Sequence, residues 1–287
     1  MISQMFGIVM LVYLMASTFF LMAELWSSAR LQAAARLVLW LGLGTQTAAL
    51  LARWWNSYHL AAGHSPATLL AEKLRLIILQ VPLSNFYESL IFFAWCLPIL
   101  GLLAFSRYFK GYLAALLTMI ATLLLAYASL GGVDSRIKPL MPALKSNWLL
   151  VHVVTCFLGY AAFTLAFGCA ILYLIQERRL RSSLPPLPLL DGLMYRGTIL
   201  GFLLLTIGIL TGAVWAETAW GRYWSWDPKE TWSLITWFIY AALLHARLLK
   251  GWHGRRIAWL AVLGFMAVLF TYFGVSFLLT GLHSYLT

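Results

Sequence analysis

Polar residues divide this chain into long apolar runs, not into stripes of helical or strand period. The runs cover about Met5–Trp26, Leu37–Trp54, Phe86–Phe105, Gly111–Leu130 and Asn147–Gln176, then 197–214, 232–249 and 257–280. Each is long enough to cross a hydrocarbon core of roughly 30 Å as a helix. The first lacks a preceding basic residue and exceeds a signal-peptide core, so it reads as a retained helix. Between the runs, Ser27–Arg36 predicts a short basic loop, and 131–146 a polar one. The stretch 177–192 is basic and then proline-rich (Pro185, Pro186, Pro188), a linker that cannot be helical throughout. Within 55–84, Ala67–Gln80 is apolar but interrupted by Glu72, Lys73 and Arg75, the pattern of a short helix lying in the membrane interface. The expected fold is all-α: a polytopic membrane bundle of about eight transmembrane helices, forming a single membrane domain over 1–287.

Composition strengthens that reading. Of 287 residues, 62% are hydrophobic and 10% charged, far from soluble usage. No barrel-like alternation is present, and lipid leaves an unpaired backbone without partners, so the spans must be helices. The net charge of +11 therefore reports topology, not nucleic-acid binding. Twelve of the 20 Lys and Arg residues fall on one set of alternate short loops, including Arg30, Arg107, Arg178 and Arg255. The rest are spread over longer loops rich in acids. The dense basic loops are expected on the cytoplasmic side. Both termini and the 215–232 stretch are then extracytoplasmic, in a bacterial inner (cytoplasmic) membrane. Cys96, Cys156 and Cys169 all lie inside apolar runs, and no Cys-x-x-Cys occurs. That excludes a thioredoxin-like redox pair and covalent haem attachment to this chain.

The candidate chemistry centres on 215–232, which holds Trp215, Trp220, Trp224, Trp226 and Trp232 among Glu217, Arg222, Asp227, Lys229 and Glu230. An interfacial belt accounts for one or two tryptophans at a helix end. Five in one loop, with an Asp-Pro turn and charges of both signs, suit a surface that holds a large planar ring. Trp220, Trp224 and Trp226 are the candidates for stacking on it, and Asp227-Pro228 for shaping the turn. His152 lies near the outer end of its run, with Thr155, Cys156 and Gly159 on the same helix face. His283 lies just past the outer end of the last run. Two imidazoles beside an aromatic surface make a candidate bis-His haem site. His245 lies 13 residues into its run, about 20 Å down a helix. Ala241 and Ala242 precede it at i−4 and i−3, leaving room for a flat ligand. An intramembrane ionisable residue is a functional candidate, although such a histidine can also serve only to bond a neighbouring helix. His59, His64 and His253 read as loop residues.

Trp-Gly-Arg-Tyr-Trp-Ser-Trp-Asp-Pro-Lys-Glu-Thr-Trp (220–232) resembles the tryptophan-rich signature of haem-handling membrane proteins of cytochrome c assembly. The continuation through Ser-Leu-Ile-Thr-Trp is similar to the CcsA (ResC) branch of the system II cytochrome c synthase, more than to the CcmC or CcmF branches. Pro-Leu-Ser-Asn-Phe-Tyr-Glu-Ser (82–89), Pro-Ala-Leu-Lys-Ser-Asn-Trp-Leu-Leu-Val-His (142–152), Phe-Leu-Gly-Tyr-Ala-Ala-Phe (157–163) and Gly-Leu-His-Ser-Tyr (281–285) resemble that branch too. The resemblance thus covers 82–287, and residues 1–81 carry little that is diagnostic. It implies that haem b is the ligand and cargo, with His152 and His283 as outer iron ligands and His245 in a second, intramembrane site. It implies a CcsB (ResB) membrane partner that supplies a further histidine, apocytochrome c as client, and a thiol-reducing thioredoxin-like protein in the pathway. The implied activity is outward movement of haem and its presentation for thioether attachment to the Cys-x-x-Cys-His of the client. The alternatives are haem delivery without ligation, as in the CcmC branch, and a transporter or scaffold whose tryptophans are only interfacial.

Overall fold

The computed structural model describes residues 2–64, 69–179 and 184–281. Its described residues form helices and connecting turns, without strands. Eight helices are long and apolar enough to cross a membrane. They are α1 (Ile2–Leu25), α2 (Ala29–His64), α4 (Phe86–Ala104), α5 (Gly111–Leu130), α6 (Asn147–Arg179), α7 (Leu187–Trp220), α8 (Pro228–Lys250) and the α9–α10 rod. That rod comprises α9 (Arg255–Leu269), a π-helical turn at Phe270–Gly274 and α10 (Val275–Leu278). The chain is an integral membrane protein with a polytopic helical fold.

Four boundaries differ from the sequence reading. The region expected as a basic loop before Leu37 is mostly helix, because α2 begins at Ala29 and carries Arg30 and Arg36 on its first turns. Ala, Leu, Gln and Arg are all good helix formers, so charge alone does not break the helix there. At its far end α2 runs on to His64, so His59 and His64 are helical and not loop residues. The proline-rich linker is likewise shorter than expected. Helix α7 starts at Leu187, with Pro186 before it and Pro188 in its first turn, where a missing N–H costs nothing. Finally, the tryptophan stretch is only partly a loop. Trp215 and Trp220 belong to α7, which stops at Gly221 in the left-handed conformation (φ 73°), and α8 already begins at Pro228. Glycine is the residue that adopts this helix-ending geometry without strain.

Between α2 and α4 lies α3 (Leu70–Leu79), ten residues and so too short to span. It is tied to α2 by the Trp54 indole, which donates to the Ile77 carbonyl at 2.7 Å. Leu70, Leu74 and Ile78 are exposed along one side of it.

The packing that positions the site is the α6–α7 pair. Small residues face each other along it: Gly159 abuts the Gly201 carbonyl, and Gly197 abuts the Ala162 carbonyl. Without a hydrophobic drive between helices in lipid, such close backbone approach is what holds them. Around this pair α6 also packs on α4 and α9, while α1 packs on α2 and α5. Buried aromatic contacts fill the centre, with Phe163 stacked on Tyr240 at 3.6 Å between ring centroids.

At the end of the bundle away from the tryptophans, Asp191 of α7 accepts hydrogen bonds from the two terminal guanidinium nitrogens of Arg247 of α8, at 3.0 and 2.7 Å. It also accepts the Gly254 amide at 2.9 Å. One carboxylate thus locks α7, α8 and the turn into α9.

Candidate functional site

At the opposite end, α4, α6, α7, α8 and the α9–α10 rod surround a cavity. Counting the part open to the outside, its empty space is about 1270 Å³. Its wall is mainly apolar and aromatic, with Phe86, Phe157, Trp215, Trp224 and Tyr272 among the lining residues.

His152, the sixth residue of α6, lines this cavity. The α6–α7 close approach fixes its ring. Its Nδ1 lies 2.7 Å from the Gly208 carbonyl oxygen of α7. With Nδ1 donating there, iron ligation by this ring would use Nε2. The ring also stacks on Trp215 of α7, 6.2 Å between centroids and 17° between planes. Trp215 is itself anchored, its indole donating to the Ala143 carbonyl at 2.8 Å. Cys156 Sγ lies 3.7 Å from His152 Nδ1, and its thiol is buried.

Gly212 is the position that allows this ring to sit where it does. A Cβ there would lie 2.5 Å from His152 Nδ1, closer than real contacts permit. Gly212→Ala is therefore expected to push the imidazole off the Gly208 carbonyl and, if this ring ligates haem iron, to lower haem retention on the order of tenfold, the cost of a lost partner of a ligating histidine. Absorption titration of the purified variant measures this. An affinity equal to wild type would show that the ring's seat does not matter.

The loop 221–227 descends into α8 through a tight cap. Asp227 precedes the helix and accepts the Lys229 amide at 3.1 Å, while Glu230 accepts the Asp227 amide at 3.2 Å. With Pro228 at the first helical position this is a capping box on a well-formed start. Glu230 also accepts the Ser225 amide at 2.7 Å, so the two acids shape the loop. Trp226 takes φ 59°, a left-handed conformation for a bulky residue, and its side chain is 69% exposed. Trp224 points the other way and lines the cavity. Trp220 reaches the cavity wall through Trp215, which it meets edge-on at 4.8 Å.

The structure thus brings His152, Trp224 and Lys229 to one cavity. His245 does not join them. With α8 starting at Pro228, it lies seventeen residues along the helix, about 26 Å from the loop at 1.5 Å per residue. This is deeper than the run 232–249 implied, because the capped turn 228–231 extends the helix. His245 and Ala242 are exposed on the outward face of α8. His283 falls outside the described residues. The last described residue, Gly281, packs against the Asp227 carboxylate and Pro228.

Several lining residues carry no signal of chemistry in the sequence. Tyr272 enters because the π-helical turn shifts the register of the last span, and its hydroxyl meets Ser89 Oγ at 2.7 Å. Leu83, Ser84 and Asn85 enter from the turn before α4. That turn is held by Glu88, which accepts the Ser84 amide and hydroxyl, both at 2.8 Å. Asn85 caps α4 by accepting the Glu88 amide at 2.9 Å, and the Asn-x-x-Glu spacing was the readable trace of it. The loop 131–146 lies over the same end, where the Arg136 guanidinium holds the Asp134 carboxyl well below the usual carboxylate range.

The family model for cytochrome c assembly proteins matches residues 83–283. The chain belongs to that family. Among curated relatives, a cytochrome c biogenesis protein CcsA of Chlamydomonas reinhardtii is 46% identical over 71% of this chain and 60% of its own length. The CcsA of Guillardia theta is 45% identical over 71% of this chain and 76% of its own. That of Synechococcus sp. (strain CC9902) is 39% identical over 83% and 82%. The chain therefore spans less than two thirds of the Chlamydomonas relative. A solved structure of cytochrome c haem lyase CcmF superposes with a TM-score of 0.66, covering 94% of this chain and 45% of that one at 22% identity. At that identity the likeness is one of fold. Membership of the assembly family covers the cavity and its walls, since every lining residue lies between Leu83 and Ser276.

Proposed function

We propose that this protein is the haem-handling subunit of a cytochrome c synthase. It moves haem b across the membrane and presents it on the extracytoplasmic side for thioether attachment to the Cys-x-x-Cys-His of apocytochrome c. The observation that carries the reading is the cavity itself: an imidazole oriented by a backbone carbonyl, within an aromatic wall, at one end of a membrane bundle. Neutral imidazole suits haem iron, and the surrounding shell controls access to it. The relatives named CcsA and the haem-lyase fold support the same direction.

In this scheme His152 and His283 are the axial ligands of the outer haem. Trp224, with Trp215 and Trp220 behind it, forms the platform, and Asp227 shapes the loop. Trp226 projects outward, where the client approaches. Attachment adds the client's two thiols across the haem vinyl groups, and this chain contributes orientation. A thioredoxin-like protein keeps those thiols reduced. The test is co-expression with a CcsB-type subunit and an apocytochrome c. A Soret band on the purified complex and covalent cytochrome c are expected. Haem binding without ligation would place the chain with delivery proteins, and no Soret band would remove haem from the reading.

His245 belongs to a second, inner site. An ionisable side chain on the outward face of a spanning helix calls for a partner, and the CcsB-type subunit supplies it. Lying about 26 Å along α8 from the loop, this site cannot share one haem with His152. Haem is then held first at His245 and passed outward. His245→Ala is expected to empty both sites, whereas substitution at His152 leaves the inner site filled. Haem content per complex at limiting supply decides it, and an outer site that fills normally in the His245 variant overturns the order.

A further inference from the structure

The cavity has polar groups that the iron ligands and the aromatic platform do not explain. Most polar side chains in its wall are satisfied within the protein. The hydroxyls of Ser84, Ser89, Ser233, Thr271, Tyr272 and Ser276 all hydrogen-bond to protein atoms. Glu230 spends its carboxylate on the Ser225 and Asp227 amides and the Ser225 hydroxyl. Two donors differ. The Trp224 indole nitrogen is buried and has no hydrogen-bond partner. Lys229, in the first turn of α8, lines the same cavity; the Asp227 carboxylate attracts its charge from beyond ion-pair distance, and no ion pair to it forms among the described residues. A buried donor without an acceptor is rare because it forfeits its hydration, and an ammonium that faces a mainly apolar wall with no carboxylate in direct contact forfeits more.

Both donors call for the same occupant, an anionic acceptor carried by the ligand. Both come from the loop–α8 junction, whereas His152 comes from α6. Arg222, the other cation of the tryptophan stretch, is exposed and is not part of the wall. We propose that Lys229 and the Trp224 indole N–H form a carboxylate-binding end of the cavity that takes a propionate of the porphyrin and so sets the macrocycle's orientation relative to His152. The inference rests on the haem reading and adds a specificity to it: the site selects porphyrins bearing free carboxylates. Charge-assisted hydrogen bonds of this kind are about twice as strong as neutral ones.

The experiment compares ferric protoporphyrin with its dimethyl ester, which keeps the iron and the ring but lacks the negative charges. Each is titrated into the purified complex and followed by its Soret band. Wild type is expected to bind the diacid roughly tenfold to a hundredfold more tightly than the diester. Lys229→Met brings the diacid down toward the diester while affecting the diester far less, and Lys229→Arg restores the difference. Trp224→Phe, which keeps an aromatic ring but removes the N–H, reduces the discrimination in part. An undiminished preference for the diacid in Lys229→Met, or an equal loss for both ligands, overturns the carboxylate end and leaves the haem reading standing. A wild-type complex that binds neither porphyrin overturns the haem reading itself and this inference with it.

Discussion

Replacing His152 with glycine is expected to lower haem retention in the cavity by at least about 100-fold, because disturbing only the outer partners of a ligating histidine already costs 10–100-fold. The ring is fixed on two sides, by the Gly208 carbonyl at 2.7 Å and by the face of Trp215. Neither contact is needed to hold the helices together. Trp215 keeps its own anchor at Ala143, and α6 and α7 still meet through Gly159, Gly197 and Gly201. The variant should therefore fold, with an imidazole-sized space beside Trp215. Free imidazole at millimolar concentration should enter that space and restore part of the Soret absorption and part of cytochrome c maturation. His152→Ala should be rescued less well, since its methyl group occupies part of the same space. If the glycine variant keeps the wild-type spectrum without imidazole, His152 is not a ligand and the cavity must hold its occupant some other way.

How much of this arrangement could be read from the chain depends on what kind of signal each part leaves. The eight spans were legible because membrane insertion needs continuous apolar length, and that is visible residue by residue. Helix ends were less so. Arg30 and Arg36 look like loop residues, yet they lie on α2, since a helix emerging from lipid can carry charge on its first turns. The prolines around 186 suggested a linker, yet proline at a helix start is harmless. His152 and Trp224 were singled out by their chemistry, and the structure places them in one cavity. Trp226 and Trp224 are two residues apart and look equivalent in the sequence. Only the positive φ of Trp226 separates one that faces the cavity from one that faces out. Tyr272 depends on a π-helical turn, a change of register for which the sequence 270–274 carries no plain mark. Lys229 and Arg222 look alike in the sequence as cations of the tryptophan stretch, and only their burial distinguishes the one in the cavity wall from the one outside it.

The largest loss of stability is expected from Glu88→Ala. Glu88 and Arg53 form an ion pair at 2.9 Å with side chains only 2% and 3% exposed. Removing one member of such a pair strands the other charge in a medium that cannot solvate it, at a cost of about 3–5 kcal/mol. The Arg53 guanidinium would keep its bond to the Ser135 carbonyl at 2.8 Å and its position 5.0 Å over the Tyr87 ring. Neither carries a full negative charge, so neither replaces the carboxylate. The damage should also reach the cavity. Glu88 holds the Ser84 amide and hydroxyl in place, and Arg53 holds the loop 131–146 at Ser135. Leu83, Ser84, Asn85 and Leu144 all line the cavity from these two segments. Glu88→Ala should therefore lower both the thermal midpoint of the purified protein and its haem occupancy, although Glu88 is not itself part of the lining. The double variant Arg53→Met, Glu88→Met removes both charges and leaves none stranded, so its midpoint should lie closer to wild type than that of the single variant. Its haem occupancy should remain reduced, because Ser84 and Ser135 still lose their partners. A double variant no more stable than Glu88→Ala would mean that the pair stabilises through its hydrogen bonds to the two loops and not through charge compensation.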